Sequence, residues 1–222
     1  MRAASPIAIY RKLREHFGFL NWWPGETKLE IFVGAILTQQ TSWKNVEKAI
    51  ANLKAARCLD FDKIAGMPIK RLESLVRPSG FYRRKARRLQ DICRSIKRDC
   101  GSLDKLFRLD KDNLRKVLLS HHGIGNETAD SIVLYAAEKP VFVIDAYTKR
   151  AMHRINPKIK DNISYEELQS HFESSIEPSI RLYKDMHAQF VQLGKTYCKV
   201  KPVCAECPLN GVCAHGRKAV SG

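Results

Sequence analysis

The stretch Leu118–Arg150, LLSHHGIGNETADSIVLYAAEKPVFVIDAYTKR, decides how the rest of the chain is read. Leu114 to Ser120 closes one helix, and Ile132, Val133, Ala136 and Ala137 recur at helical spacing in a second that begins near Asn126. Between them, His122-Gly123-Ile124-Gly125 sets two glycines around one apolar residue. Such a pair permits a tight turn with φ > 0 and lets another backbone come close. The amides that open the second helix then face outward, as a seat for a phosphate. A Gly-x-Gly turn also serves simply to cap helices. Further on, the apolar run Val141-Phe142-Val143-Ile144 leads into Asp145, and Ala146 to His153 reads as a helix. Asp145 therefore stands at a helix N-cap, a role worth about 1 kcal/mol by itself.

Composition narrows what surrounds this stretch. With 222 residues and 44% apolar content, the chain can bury one large core or two small ones. The formal charge of +16 attracts polyanions through counterion release. With no amphipathic anchor, nucleic acid is favoured over a membrane surface. The longest apolar stretch, Ile31 to Leu37, is far too short to span a bilayer, so no membrane association is expected. Seven cysteines are an odd number, and four of them, Cys198, Cys204, Cys207 and Cys213, crowd near the C-terminus, unlike an extracellular disulfide framework. Together with the lack of a secretory h-region, this predicts a reducing compartment, the cytoplasm and its nucleoid if the source is prokaryotic.

A helix, a glycine hairpin, a second helix, an apolar run and then Asp, in this order and spacing, resemble the signature of the endonuclease III superfamily of helix-hairpin-helix DNA glycosylases. The resemblance implies that Asp145 is catalytic. It also implies an all-α fold of two helical domains, with residues 26–138 forming a helical barrel that ends in the hairpin. Residues 1–25 and 139–222 would form the second domain, with the active site in the cleft between the two.

Taken in order, Pro6 to Phe17 is an amphipathic helix ending at Gly18. The loop Asn21-Trp22-Trp23-Pro24-Gly25 follows, whose tryptophans are either hydrophobic plugs or the lining of a base-sized pocket. Thr27 to Leu37 is a strongly apolar helix running into Thr38-Gln39-Gln40-Thr41-Ser42-Trp43, and Asn45 to Lys54 is the next. Amide and hydroxyl groups between two helices ordinarily cap them; by resemblance, Gln40 matches the residue that fills the hole left by an extruded nucleotide. Trp43 stands where pyrimidine-specific relatives carry an acid, which suggests a stacking platform for another base. Ile64 to Arg77 is expected as one short helix. Gly80-Phe81-Tyr82-Arg83-Arg84-Lys85-Ala86 resembles the family's Gly-aromatic-x-x-x-Lys-Ala element, making Phe81 a candidate wedge into the duplex. Arg83 to Arg98 is a helix with Asp91 as its single acid, read either as a solvated face or as a phosphate-contacting one. Leu103–Leu109 and Asn113–Ser120 complete the central series. Helices near Tyr165–Ser174 and Ser179–Leu193, separated by Pro178, complete the chain's C-terminal half.

Cys198, Cys204, Cys207 and Cys213 follow C-x5-C-x2-C-x5-C. Four thiolates so close point to a metal rather than to disulfides. Structural zinc more often uses two Cys-x2-Cys knuckles, so a [4Fe–4S] cluster fits better, with zinc left open. The family's C-terminal cluster loop is similar, although its first spacing is one residue longer. On that reading the cluster has a structural role, holding Lys195, Lys199 and Lys201 near DNA. Strand-cutting relatives carry a Schiff-base Lys two residues after the second hairpin glycine, where this chain has Glu127. The resemblance then implies a monofunctional glycosylase, a monomer acting on double-stranded DNA that contains a damaged base. Its closest pattern is the 3-methyladenine branch, with an alkylated purine stacked on Trp22, Trp23 and Trp43. Gly123, Gly125, Lys149 and Arg150 are assigned to DNA contacts, with Lys139 or Lys149 as remote substitutes for the missing lysine. Excision of a mismatched, deaminated or oxidised base, and a DNA-binding module without chemistry, are the alternatives.

Overall fold

The computed structural model describes residues 4–20, 22, 23 and 25–221; Asn21 and Pro24 of the tryptophan loop lie outside them. Among the described residues every regular element is helical, and no helix is long and apolar enough to cross a membrane. The chain forms two compact units, one from the residues up to Trp22 together with those from Pro140 onward, the other from Trp23 to Lys139.

The first unit opens with α1 (Pro6–Phe17), capped by the Ser5 hydroxyl. The second unit carries α2 (Lys28–Leu37), α3 (Trp43–Ala55), α4 (Phe61–Gly66), α5 (Ile69–Leu75), a 3-10 turn (Arg77–Ser79), α6 (Tyr82–Cys100), α7 (Leu103–Arg108), α8 (Lys111–Leu119) and α9 (Asn126–Ser131), which runs on as a π-helical turn (Ile132–Ala136). The α2 helix is apolar almost all round and is accordingly buried, from Phe32 to Leu37. The α6 helix is amphipathic instead: Ala86, Leu89, Ile92, Cys93 and Ile96 face inward, against α4, α5 and α7. The expected helix over Ile64–Arg77 is broken at Met67-Pro68. Proline has no N–H and forces the residue before it out of helical geometry, and Met67 is extended at ψ 156°.

The first unit resumes with α10 (Ala146–Ile155), α11 (Tyr165–Glu173), α12 (Ile180–Thr196) and α13 (Ala214–Ser221). The last of these was not expected from the sequence. Helix α10 packs on α12 so closely that a Cβ on Gly194 would sit 2.2 Å from the Tyr147 ring. The apolar run Val141–Ile144 is neither helix nor strand, yet it is fully buried. A buried irregular segment needs partners for its main chain, and α11 supplies them. Glu173 accepts from Phe142 N at 2.7 Å, the Gln169 amide donates to Phe142 O at 2.7 Å, and the Tyr165 hydroxyl accepts from Ile144 N at 3.2 Å. That clamp delivers the chain to Asp145 at a fixed height.

Candidate active site

Asp145 is the N-cap of α10, and its side chain is nearly sealed from solvent. Oδ1 accepts from the Thr148 amide at 2.7 Å, while Oδ2 faces Nε2 of His187, a buried α12 residue, at 3.6 Å. Burial pushes the carboxyl upward, but the imidazole and the Thr148 amide outweigh it and hold Asp145 below its ordinary range. The result is a buried, ionised carboxylate at the positive end of a helix, suited to meeting a developing cation. The Trp22 ring lies 5.5 Å from the imidazole, with the Lys195 ammonium 5.7 Å from the indole. Asp185, two residues before His187, accepts from Tyr10, Arg14 and the Leu20 amide, at 2.7, 2.6 and 2.9 Å, and so fixes the segment leading to Trp22.

His187 escaped the sequence reading. The available signal was a run of alternating polar residues, Asp185, His187 and Gln189, in the stretch of α12 from Asp185 to Val191, every residue of which is buried.

In the second unit the hairpin is built around Gly123, at φ 84°. A Cβ there would lie 2.1 Å from the Arg88 guanidinium, so only glycine admits this packing. Gln39 donates to Gly123 O and to Thr128 Oγ1, both at 3.0 Å, and accepts from Arg88. Arg115 pairs with buried Asp130 through Nε at 2.6 Å and joins α8 to α9. Gly125 departs from expectation: its φ is −95°, and it serves as an extended N-cap with no side-chain bond over the first amides of α9. Glu127 is exposed in that first turn.

Of the three tryptophans expected to act together, Trp23 and Trp43 meet within this unit, 5.4 Å apart at 69°. Tyr135, on the π-helical turn, lies against Trp23, the ring centroids 4.5 Å apart and tilted by 34°, and was not foreseen; π turns recur at functional sites. Gln40 and Phe81 are both exposed, and both take the left-handed conformation, φ 54° and 44°. For non-glycine residues this costs roughly 1–3 kcal/mol and is typical of functional positions.

The basic helix is longer than expected, and its charge is partly consumed. It ends with a second acid, Asp99, which pairs with Arg98, while Lys97 pairs with Asp62 and Arg94 donates to Ala65 O. Arg83, Arg84 and Arg87 remain exposed at its N-terminal end, and Arg84 lies over the Phe81 ring at 4.8 Å.

Cys198, Cys204, Cys207 and Cys213 line one pocket. Among the described residues no three His, Cys, Asp or Glu side chains are placed to share a single metal ion. In a four-iron cluster each cysteine would bind a different iron, so cysteines holding one would stand farther apart than those of a single zinc ion. Burial pushes the Cys207 thiol up to about 11, and the three neighbouring cysteines add to the rise. Four thiols packed together become thiolates only beside a compensating cationic group, and their shared pocket is the observation that would let them hold one. Arg154 donates to Cys198 Sγ at 3.4 Å and to Lys199 O at 2.6 Å. Arg150, expected on DNA, donates through Nε to Cys198 O at 2.8 Å and lies over Tyr147: its long side chain straps the cysteine loop to α10. Lys149 is half-buried on the same helix.

Comparison with known proteins finds relatives along nearly the whole chain. A Methanocaldococcus jannaschii protein whose name assigns it to the DNA repair glycosylases is 44% identical over 207 residues, covering 92% of this chain and 94% of its own. The crystal structure of the H. pylori 3-methyladenine DNA glycosylase bound to 1,N6-ethenoadenine is similar with a TM-score of 0.78 at 30% identity, over 86% of this chain and 98% of that one. A non-covalent endonuclease III–DNA complex has a TM-score of 0.82 at 21% identity over 99% of this chain and all of its own, a likeness of fold. Residues 33–178 match the model of the HhH-GPD superfamily base excision DNA repair proteins, and the chain belongs to that family.

Proposed function

We propose that the protein is a monofunctional DNA glycosylase that hydrolyses the N-glycosidic bond of an extruded alkylated purine, such as 3-methyladenine or 7-methylguanine. The observation that carries this reading is the buried Asp145 carboxylate, kept ionised against His187, in a chain whose hairpin bears Glu127 where an imine-forming lysine would be needed. Asp145 stabilises the positive charge that builds on the sugar as the base leaves and orients the attacking water. Glu127 has no amine, so water is the nucleophile. N-alkylated purines are cationic and already poor at holding the glycosidic bond. Aromatic faces such as Trp22 and the tilted Trp23–Tyr135 pair bind them by cation–π attraction without strong acid catalysis of departure. The ethenoadenine bound by the H. pylori relative, a modified purine, supports the same substrate class.

Gln40 and Phe81 enter the duplex, one replacing the extruded nucleotide and the other wedging the opposite strand. Gly123, the open start of α9 and the exposed arginines of α6 hold phosphates. Cys198, Cys204, Cys207 and Cys213 would hold a [4Fe–4S] cluster that ties its loop to α10 through Arg150 and Arg154. Purified anaerobically, the protein should be yellow-brown with broad absorption near roughly 400 nm; colourless protein with stoichiometric zinc would refute the cluster.

The substrate is tested with duplexes carrying alkylated, deaminated, oxidised or mismatched bases, each treated with hot alkali after incubation. Alkali-labile sites should form fastest at alkylated purines. A preference for a deaminated or mismatched base would replace this substrate assignment, and no site on any duplex would favour a binding module.

A further inference from the structure

Lys85 is buried on α6, and the Asp145 site makes no use of it. Its ammonium donates to Leu37 O at 2.8 Å and to Ser79 O at 2.6 Å. Leu37 is the last residue of α2, three before Gln40; Ser79 closes the 3-10 turn, two before Phe81. Both carbonyls thus lie just ahead of Gln40 and Phe81, two of the four exposed non-glycine residues with left-handed backbone, the others being Arg57 and Glu138. No carboxylate stands against the ammonium among the described residues. The charged group that bears on it is Arg88, one turn along its own helix, while α2 and the 3-10 turn present main-chain oxygen. Burial, with Arg88 adding to it, pushes Lys85 down to about 8.

A charge kept at such cost is a poor choice for packing alone, since a methionine of similar length fills the space without desolvation. Left-handed backbone at Gln40 and Phe81 persists only if its surroundings over-determine it, and two charge-assisted bonds from one rigid helix do so on both sides at once.

We propose that Lys85 is a positioning residue that ties the Gln40 loop and the Phe81 turn to α6 and to each other, so that both duplex-entering side chains reach DNA at a fixed separation. This rests on the reading of Gln40 and Phe81 given above. Arg88 does the same for the third DNA-facing element through Gln39 and Gly123, so a single face of α6 sets all three.

The test uses a duplex with a tetrahydrofuran abasic analogue and 2-aminopurine opposite it, whose fluorescence rises when the stack is opened. Binding of the wild type should raise the signal. Lys85→Met should remain helical by circular dichroism, bind roughly tenfold more weakly, as expected for losing two bonds from a charged donor, and at saturation give less than about half the wild-type rise. Between pH of about 7 and 9 the wild-type rise should decline as the ammonium is lost, and that decline should be absent in Lys85→Met. Folding stability moves the opposite way: an amine that loses its proton more readily when folded favours the folded state as pH rises, so a fall in signal is not unfolding driven by Lys85. No rise with the wild type would sink the wedge reading and this proposal with it. A wild-type rise kept in full by Lys85→Met would sink this proposal alone. Should Lys85→Met fail to fold, the wild-type pH series decides: a rise unchanged across that range, with the duplex still bound, overturns it.

Discussion

The two helices that begin at Asn126 and Ala146 start in opposite ways. Helix α9 opens at Gly125 with no side chain over its first amides, whereas α10 opens at Asp145, whose own carboxylate takes the Thr148 amide. The positive end of a helix is the same physical object in both. Without a side-chain cap at Gly125 it is the end that the proposed function gives to a phosphate, and a strict glycine at 123 keeps Arg88 close. Filled at Asp145 it stabilises an anion of its own, which burial would otherwise neutralise and which His187 keeps charged. One start is thus suited to binding and the other to chemistry, and substitutions should separate the two.

The largest separation is expected from Asp145→Asn, which keeps the cap and removes the charge. Single-turnover excision should fall at least roughly a hundredfold, the scale for losing one preorganised electrostatic group. Affinity for the damaged duplex should stay level or increase, since a negative charge has left the site. Near-wild-type turnover would reduce Asp145 to a cap.

The reverse pattern is expected from Gly123→Ala. The new methyl collides with Arg88 and strains backbone at φ 84°, at a cost of about 1–3 kcal/mol. Affinity for damaged and undamaged duplex alike should drop on the order of tenfold, with the excision rate at saturating enzyme nearly kept. A large loss in that rate would mean that the hairpin contributes to chemistry as well as to binding.

A finer test is His187→Asn. Asp145 is held below its ordinary range, so in the wild type the carboxylate survives as pH falls. Its contribution to stability is present above the unfolded carboxyl range and is lost only as pH drops through the depressed folded value. Without the imidazole, burial is less opposed and the acidic limb of the rate profile should move to higher pH. The loss should be a few-fold near neutrality and larger in acid. An unmoved acidic limb would show that His187 does not set the charge of Asp145.

The hairpin, the N-cap at Asp145 and the cysteine spacing were legible because each is a local pattern: glycines at a turn, an acid ahead of a helical period, thiols at short intervals. What the sequence hid is pairing at a distance. His187 meets Asp145 across 42 positions, and Lys85 reaches Leu37 across 48. Gln39 rather than Gln40 is the residue tied to the hairpin, a choice made by Arg88 and Thr128 and by nothing in the Gln-Gln pair itself. The bond from Arg150 to the Cys198 carbonyl, 48 positions on, is hidden in the same way. The left-handed backbone at Phe81 was masked by Gly80, which already offered a residue for positive φ, and both take it.

The claim that water is the sole nucleophile is tested most directly by one experiment. The enzyme is incubated with an alkylated-purine duplex in the presence of borohydride, and in parallel without it, the latter analysed before and after hot alkali. The account expects an intact abasic site, strand breaks only after alkali and no covalent protein–DNA adduct. An adduct accompanied by strand breaks without alkali, lost when Lys139 or Lys149 is replaced, would contradict it and make the protein a lyase.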